Sequence, residues 1–251
     1  MHKYTGVIVL SCIMCSLGLG KTIQVDVTND GVADIVKMGL KIVTVQDGVS
    51  SKLHTIVAGL ESLADISVDD YFSRTKGNEI AILMLPEESF LTEVYGYRNN
   101  RFVKVSEILP GELSFDEERR LFGYAMHAWD RNEVMTYWPI IEDEGYMKAA
   151  PIVQSAETTF VVAARRTKEL PFVLQDGTLT MCVAATLDTN VIVFLTDEDG
   201  TLIKQTTIDP RTGFYGRVIA EQAKTITFAV DNSQSADPKT IQVIIKQYAY
   251  R

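Results

Sequence analysis

The sequence predicts a mainly β protein, built as a partial, propeller-like repeat domain followed by an antiparallel β-sandwich of the jelly-roll type. Three observations predict this fold class. Short runs of β-branched and aromatic residues recur along most of the chain, Gly, Pro, Asp and Asn separate these runs, and a helical pattern is confined to one short stretch. Such alternation of short apolar runs with turn residues is typical of sheets rather than of helix bundles.

Length and charge narrow the function classes. The 251 residues suffice for one or two domains, each able to bury its own core. A hydrophobic fraction of 46% predicts a folded chain rather than a disordered or collagen-like one. The 33 acidic residues outnumber the 24 basic residues, which argues against a nucleic-acid partner because phosphate charge would not be neutralised.

The N-terminus predicts a signal peptide at residues 1–20. A single base, Lys3, precedes an apolar run, and Gly18 and Gly20 supply the small residues expected before a cut ahead of Lys21. The run is too short for a transmembrane helix, which needs about 20 apolar residues. We therefore expect a secreted or cell-surface protein with no transmembrane span in its mature chain.

Two other interpretations of this segment stay open. Gly20-Lys21-Thr22 matches the end of a phosphate-binding loop, but Cys15 stands where that motif needs Gly. Cys12 after Val9-Leu10-Ser11 loosely resembles a bacterial lipoprotein signal, so a lipid anchor at Cys12 is the minority alternative to cleavage. Cleavage would leave Cys182 as one cysteine, unable to form an internal disulfide and expected to be a buried thiol.

A shift in charge predicts a domain boundary near residue 150. Residues 21–149 contain 22 acids and 13 bases, whereas residues 150–251 contain 11 acids and 10 bases. We therefore divide the chain into the signal peptide at 1–20, a repeat domain at 21–149 and a β-sandwich domain at 150–251.

Apolar runs predict most of the elements as strands. In the repeat domain, strands are expected at 23–27, 42–45, 80–84 and 102–105. In the sandwich domain, they are expected at 160–163, 179–184, 191–195, 226–230 and 241–245. Ser114-Phe115-Asp116-Glu117 is a capping-box signature, so we expect a helix over about 115–127.

The strongest local signal is an oxygen-rich loop, Asp26-Val27-Thr28-Asn29-Asp30-Gly31-Val32-Ala33-Asp34. Acids at the first, fifth and ninth positions, with Gly at the sixth and a carbonyl at the seventh, suit a hard cation such as Ca²⁺. An EF-hand would need Glu at the twelfth position, where Lys37 stands, and flanking helices. The alternative is a hairpin whose carboxylates cap backbone N–H groups without a metal.

The loop resembles the calcium loops of FG-GAP/VCBS repeats, which build β-propellers. Their pattern is Asp-x-[Asp/Asn]-x-Asp-Gly-x-x-Asp ahead of an apolar strand, and here Thr28 stands in the third position. The resemblance covers about residues 22–145. It implies a Ca²⁺ ligand set of Asp26, Thr28, Asp30, the Val32 carbonyl and Asp34.

Two later segments look like degenerate copies of this unit, at 68–80 and at 128–134. Their spacing of roughly 45–60 residues is within the range of propeller blades. The repeat domain has room for two or three blades, whereas closed propellers usually have at least about four. We therefore expect a partial array.

A second resemblance, over about residues 157–251, is to the GOLD domain of p24 cargo proteins and lipid-transfer proteins. The segments that show this resemblance are Asp176-Gly177-Thr178-Leu179, the run from Val191 to Gly200, the run from Ile226 to Ser235 with its Asp-Asn-x-x-Ser ending, and the run from Lys239 to Val243. The paired cysteines of p24 proteins are missing, so their cargo role is not implied. The resemblance implies a β-sandwich that binds or packs rather than catalyses.

Beyond the predicted signal peptide, the sequence contains no GxSxG, HExxH or CxxC motif, and His54 and His127 have no catalytic context. We therefore expect no catalytic residues and an exported, non-catalytic module for binding or adhesion, whose ligand is a protein or a glycan. The alternative is a secreted carbohydrate-active enzyme or its accessory domain, because the many Asp and Glu residues could include a glycosidase pair. Candidates for a binding face are aromatic: Tyr95, Tyr97, Tyr124, Trp129, Tyr137 and Trp138, with Trp129 and Trp138 expected in the core.

Overall fold

The computed structural model describes residues 20–56, 63–72, 77–86, 90–117, 119–129, 132–188 and 190–250, with the backbone alone for 125–129 and 132–136. These residues form 21 strands in five antiparallel sheets. Within the described ranges, no helix is long and apolar enough to cross a membrane. Residues 1–19 of the predicted signal peptide, including Cys12, lie outside them.

The first sheet is a four-stranded meander, in which each strand pairs with the next along the chain. Val36, Val43 and Val45 are completely buried on its inner face, as the alternation of apolar and polar residues requires. Its strands are β1 (Thr22–Val25), β2 (Asp34–Met38), β3 (Val43–Gln46) and β4 (Leu53–Ile56).

The second sheet packs against both of its neighbours, and its central strand contributes to both contacts. Ile80 and Ile82 of that strand pack in the same apolar cluster as the first sheet, whereas Ala81 packs in a cluster with residues of the third sheet. The strands are β5 (Leu63–Asp69), the central β6 (Glu79–Met84), β7 (Leu91–Arg98), β8 (Arg101–Lys104) and β9 (Leu109–Pro110), which pairs with β7.

The third sheet contains a hairpin where a helix over 115–127 was expected, so that prediction is wrong. Asp116 shapes the turn, because its carbonyl accepts the Arg119 N–H at 3.0 Å and its carboxylate accepts the Arg120 N–H at 2.8 Å. Arg119 adopts a left-handed φ of 59°, which a helix does not allow. The strands are β10 (Glu112–Phe115), β11 (Leu121–Trp129), β12 (Asn132–Asp143) and β13 (Tyr146–Ala149).

The expected degenerate copies of the first loop fall at comparable hairpins. The segment 26–34 connects β1 to β2, and the segment 68–80 spans the corresponding connection from β5 to β6. The segment 128–134 spans β11 to β12, which is the second hairpin of its sheet. The third copy therefore lies one strand later in its sheet than the other two lie in theirs.

The C-terminal part is a sandwich of two four-stranded sheets, ordered β14-β21-β16-β19 and β15-β20-β17-β18. Their inner faces enclose an apolar core that includes Leu195, Phe214, Phe228 and the Cys182 side chain. The strands are β14 (Ile152–Val162), β15 (Thr167–Leu174), β16 (Thr178–Thr186), β17 (Val191–Asp197), β18 (Leu202–Ile208), β19 (Phe214–Ala220), β20 (Lys224–Asp231) and β21 (Lys239–Ala249).

The sandwich packs on the third sheet. Phe122 of β11 lies in one buried cluster with Met181 of β16 and Tyr248 of β21. Tyr137 of β12 stacks on Tyr215 of β19, with ring centroids 4.1 Å apart. An apolar contact region therefore joins the two halves of the chain.

The mainly β fold class, with propeller-like sheets followed by an antiparallel sandwich, is confirmed. The predicted boundary between residues 149 and 150 falls between β13 and β14. Because the cluster around Phe122 spans that point, the division into separate domains stays a prediction.

Candidate functional site

The predicted cation loop is shaped by carboxylates that accept hydrogen bonds from its own backbone. Asp26 accepts the N–H groups of Asp30 at 3.2 Å and Gly31 at 2.8 Å, and Asp30 accepts the N–H of Val32 at 2.9 Å. Gly31 has a φ of 89°, a conformation that favours Gly. These bonds are those of the metal-free hairpin that the sequence left open.

Asp34 anchors this loop from inside the protein. Its fully buried carboxylate accepts the N–H groups of Val27 at 2.8 Å, Thr28 at 2.9 Å and Gly48 at 2.8 Å. Within the described ranges, no three acidic, His or Cys side chains are placed to hold a metal ion. Ca²⁺ binding by Asp26, Thr28, Asp30, the Val32 carbonyl and Asp34 stays a prediction.

An open cleft of about 380 Å³ lies where the second and third sheets meet the C-terminus. It brings together residues from the end of β5, the β10–β11 hairpin, β12, β13 and the last residues of the chain. Its lining combines acidic, basic and aromatic side chains: Asp70, Tyr71, Phe72, Phe115, Arg119, Arg120, Leu121, Ile140, Ile141, Glu142, Met147 and Tyr250.

Aromatic rings form one wall of the cleft. Tyr71 and Phe115 are stacked, with centroids 5.8 Å apart and planes inclined by 17°. The Arg119 guanidinium lies 4.0 Å from the centroid of Phe115, and the Arg98 guanidinium lies 5.6 Å from that of Phe72. Burial raises the pKa of Tyr71 to about 12, so this hydroxyl stays protonated at neutral pH. Tyr71 and Phe72 are buried in this wall, and Phe115 is the partly exposed ring.

Charged groups fix the hairpin that carries two of the lining arginines. Arg120 Nε donates to Asp116 at 2.8 Å, and Arg217 of β19 donates to the same carboxylate oxygen. Arg119 lies 3.6 Å from Asp69. Two acids of the lining, Asp70 and Glu142, come from different sheets, since one follows β5 and the other lies in β12.

Glu79 lies behind the aromatic wall rather than in the cleft lining. Its side chain is buried, and its carboxylate accepts the N–H of Tyr71 at 3.0 Å and also the N–H of Phe72. Burial, with a smaller contribution from Asp70, raises the pKa of Glu79 to about 7, although the two N–H groups and Arg98 act in the opposite direction.

The other candidate side chains of the sequence are structural where the structure describes them. His54 is buried, and its ring contacts those of Tyr97 and Phe102 edge-on at 5.5 and 5.6 Å. Burial raises the pKa of the Cys182 thiol, which is therefore a poor nucleophile. The side chains of His127 and Trp129 lie outside the described ones.

The predicted aromatic binding face is divided between packing sites. Tyr95 donates to Glu93 at 2.8 Å within the second sheet. Tyr137 and Trp138 are partly buried and pack against the cluster between the third sheet and the sandwich, so Trp138 lies at the margin of the core in which it was expected. Sequence reasoning missed the cleft, because its residues come from segments far apart in the chain and no spacing links them.

No protein-family model and no curated protein matches the sequence. Solved structures similar to the chain include three glycoside hydrolases. The first is an exo-β-1,3-galactanase of Phanerochaete chrysosporium, with 8% identity, a TM-score of 0.35, and a match over 91% of this chain and 68% of that chain. The second is a family 43 arabinoxylan arabinofuranohydrolase of Bacillus subtilis, with 9% identity, a TM-score of 0.26, and a match over 91% of this chain and 66% of that chain. The third is a family 32 β-fructofuranosidase of Bombyx mori, with 8% identity, a TM-score of 0.26, and a match over 92% of this chain and 76% of that chain.

By this comparison, the expectation of a non-catalytic binding or adhesion module is wrong, and so is the expectation that the chain is not an enzyme. The comparison agrees better with the alternative of a carbohydrate-active enzyme. The expectation relied on motifs that are local in sequence, and a pair of carboxyl groups brought together by a fold leaves no such motif. At these TM-scores no residue of the hydrolases corresponds to a residue of this chain, so the comparison assigns no catalytic role to any side chain.

Proposed function

We propose that the protein is a carbohydrate-active hydrolase that binds its glycan in the cleft between the second and third sheets. The observation that carries the proposal is the pairing of two carboxylates, Asp70 and Glu142, with an aromatic wall in one open cleft. Glycoside hydrolysis commonly uses two carboxyl groups on either side of the scissile bond, one of them as a proton donor. Asp70 and Glu142 are the candidates for this pair.

The remaining lining groups suit sugar binding. Aromatic rings pack against the apolar parts of sugars, and the partly exposed Phe115 lies at the side of the cleft between Tyr71 and the Arg119 guanidinium. Arg119 and Arg120 offer N–H donors to sugar hydroxyls. The cleft volume of about 380 Å³ lies in the range of small-ligand pockets, which suits one or two sugar units.

The proposal is tested by turnover. The full chain is incubated with β-1,3-galactan, arabinoxylan and sucrose, and released sugars are measured by chromatography. We expect release from at least one substrate, and a loss of about 100-fold or more in kcat for Asp70→Asn and for Glu142→Gln, because each removes a reacting carboxyl group. Melting temperatures of both variants should stay close to that of the wild type.

Asp143→Asn is the matched control, because Asp143 is exposed next to Glu142 and pairs with Lys148 outside the cleft lining. Its turnover should equal that of the wild type. Absence of released sugar from all three substrates, or turnover that survives both cleft substitutions, contradicts the proposal.

Finer assignments of family, metal and location belong to the same proposal. An FG-GAP/VCBS-type first sheet is supported by the register of Asp26, Asp30 and Asp34 and by the strands on both sides of the loop. A GOLD-like sandwich is supported by the Asp231-Asn232 turn ahead of β21. Secretion or export to the cell surface is supported by the composition of residues 1–20.

A further inference from the structure

Glu79 is a buried acid whose carboxylate accepts hydrogen bonds from two residues of the cleft wall. It begins β6 and pairs in register with Asp69 of β5. The chain leaving β5 turns back over it, so that the consecutive N–H groups of Tyr71 and Phe72 point at its carboxylate. Only 6% of Glu79 is exposed, and Tyr71 and Phe72 are buried as well. Two consecutive backbone N–H groups of the segment that carries both cleft rings are therefore bonded to one ionisable side chain.

The charged groups around Glu79 are of both signs and act on its pKa in opposite directions. Asp69 and Asp70 on the β5 side carry like charge, whereas Arg98 of β7 carries the opposite charge. Arg98 is shared, because it also donates to the Gly145 carbonyl at 3.0 Å and lies over the Phe72 ring. Glu79 is therefore not locked into a dedicated ion pair, and its charge depends on pH near neutrality.

We propose that Glu79 is a positioning residue for the cleft, holding the Tyr71–Phe72 wall closed when its carboxyl group is protonated and loosening it when the group ionises. The physical reason is linkage between proton binding and wall opening. An ionised carboxyl group gains free energy by reaching water, and opening of the 71–72 segment gives it that access. The closed state therefore binds the proton more tightly than the open state and is favoured at acid pH.

This inference rests on the proposed function in so far as the wall belongs to the proposed glycan cleft. In the hydrolase, a loosened wall weakens binding without removing a reacting group. We therefore expect KM to rise above pH 7 while kcat changes little, and we expect Glu79→Gln, which cannot ionise, to remove that rise.

Amide hydrogen exchange of Tyr71 and Phe72 tests the wall directly. It is measured by NMR on the full chain without any glycan, at pH 6 and pH 8.5, after correction for the intrinsic exchange rates. Wild-type protection should fall by up to about 10-fold between the two pH values, because opening releases at most one proton and the closed state itself loses that proton around pH 7. Glu79→Gln should show little change, since its neutral amide oxygen still accepts an N–H at both pH values.

Glu93→Gln is the matched control, because Glu93 is an equally buried acid that bonds Tyr95 and Lys104 away from the cleft lining. Its 71–72 exchange should follow the wild type. Equal pH dependence in the wild type and in Glu79→Gln overturns the inference.

Asp70→Asn provides a second test if Glu79→Gln does not fold. The charge of Asp70 raises the pKa of Glu79, so Asp70→Asn lowers that pKa and should move the midpoint of the exchange change to lower pH. A midpoint that does not move, or that moves to higher pH, overturns the inference.

The proposed hydrolase activity and the role of Glu79 can fail separately. The exchange measurement contains no glycan, so it does not depend on turnover. A failure of turnover therefore overturns the proposed function alone, and an exchange pattern that does not change with pH overturns the role of Glu79 alone.

Discussion

The two halves of the chain bury different kinds of side chain. Among the described residues, the buried acidic side chains all lie in the first two sheets or the turns of their strands: Asp34, Asp47, Glu79 and Glu93. In the sandwich, the buried polar side chains are neutral apart from Lys239, and the core is a continuous apolar cluster. The propeller-like sheets therefore depend on carboxylates that organise loops, whereas the sandwich depends on apolar burial.

This difference follows from how each half is built. Short sheets stacked side by side leave turns close to the core, and buried carboxylates such as Asp34 satisfy the N–H groups of those turns. Two sheets packed face to face place turns at the ends instead, away from the apolar centre. The first half should therefore respond to pH and charge substitution more strongly than the second.

The largest expected effect is the loss of the Asp34 carboxylate. Asp34→Ala leaves the N–H groups of Val27, Thr28 and Gly48 without their acceptor, and should lower the free energy of unfolding by about 3–5 kcal/mol. Urea unfolding followed by circular dichroism measures it.

Two other substitutions, one in the same loop and one in the sandwich, are compared with Asp34→Ala by the same measurement. Asp30→Ala removes one exposed bond and should cost about 0.5–1 kcal/mol. Asn232→Ala, in the sandwich, removes an amide that donates to the carbonyls of Val162, Ala163 and Asp237, and should cost about 1–3 kcal/mol. If Asn232→Ala costs more than Asp34→Ala, the contrast between the halves is wrong.

The next effect is a pH dependence of stability. The pKa of Glu79 rises from its ordinary value of 4.5 to about 7 in the folded chain, so the folded state binds the proton more tightly than the unfolded state. Its contribution is fully present below about pH 4.5 and is lost as pH rises through 7. Glu79→Gln should therefore gain about 2–3 kcal/mol over the wild type between pH 5 and pH 8.

Urea unfolding of both proteins at pH 5 and pH 8 measures this difference. The apolar core of the sandwich supplies the reference, because a variant such as Phe228→Ala should lose the same free energy of unfolding at both pH values. A wild type and a Glu79→Gln variant that change equally with pH would contradict the prediction.

The smallest expected effect is that of calcium. If the loop at 26–34 binds Ca²⁺, the melting temperature should be a few degrees higher in calcium than in chelator, and Asp30→Ala should abolish the rise. Differential scanning calorimetry in the two buffers measures it. Identical melting curves would leave the loop as the hydrogen-bonded hairpin that the carboxylates already form.

Local patterns in the sequence predicted the strands well where buried and more exposed residues alternate along one continuous segment. The runs expected at 191–195 and 226–230 lie within β17 and β20, because alternating β-branched residues there face a sheet interface. The helix expected over 115–127 failed for a long-range reason. Asp116 forms a turn, and its carboxylate accepts a hydrogen bond from Arg217, which is 101 residues away. No local sequence pattern predicts so distant a partner.

The candidate site was less predictable than the fold. Asp70 and Glu142 are 72 positions apart in sequence, and only the packing of β12 against the end of β5 brings both into one cleft. Glu79 could be recognised as an acid ahead of an apolar strand, but its role depends on the backbone of Tyr71 and Phe72 turning back over it. Spacing carries no information about either arrangement.

The cluster that joins Phe122 to Met181 and Tyr248 links the third sheet to the sandwich. Neither the third sheet nor the sandwich completes its apolar surface alone, because each supplies one side of that contact. A chain cut between Ala149 and Ala150 would expose both sides to water. Either half on its own would therefore carry an apolar patch at this face, and such patches favour association with other chains.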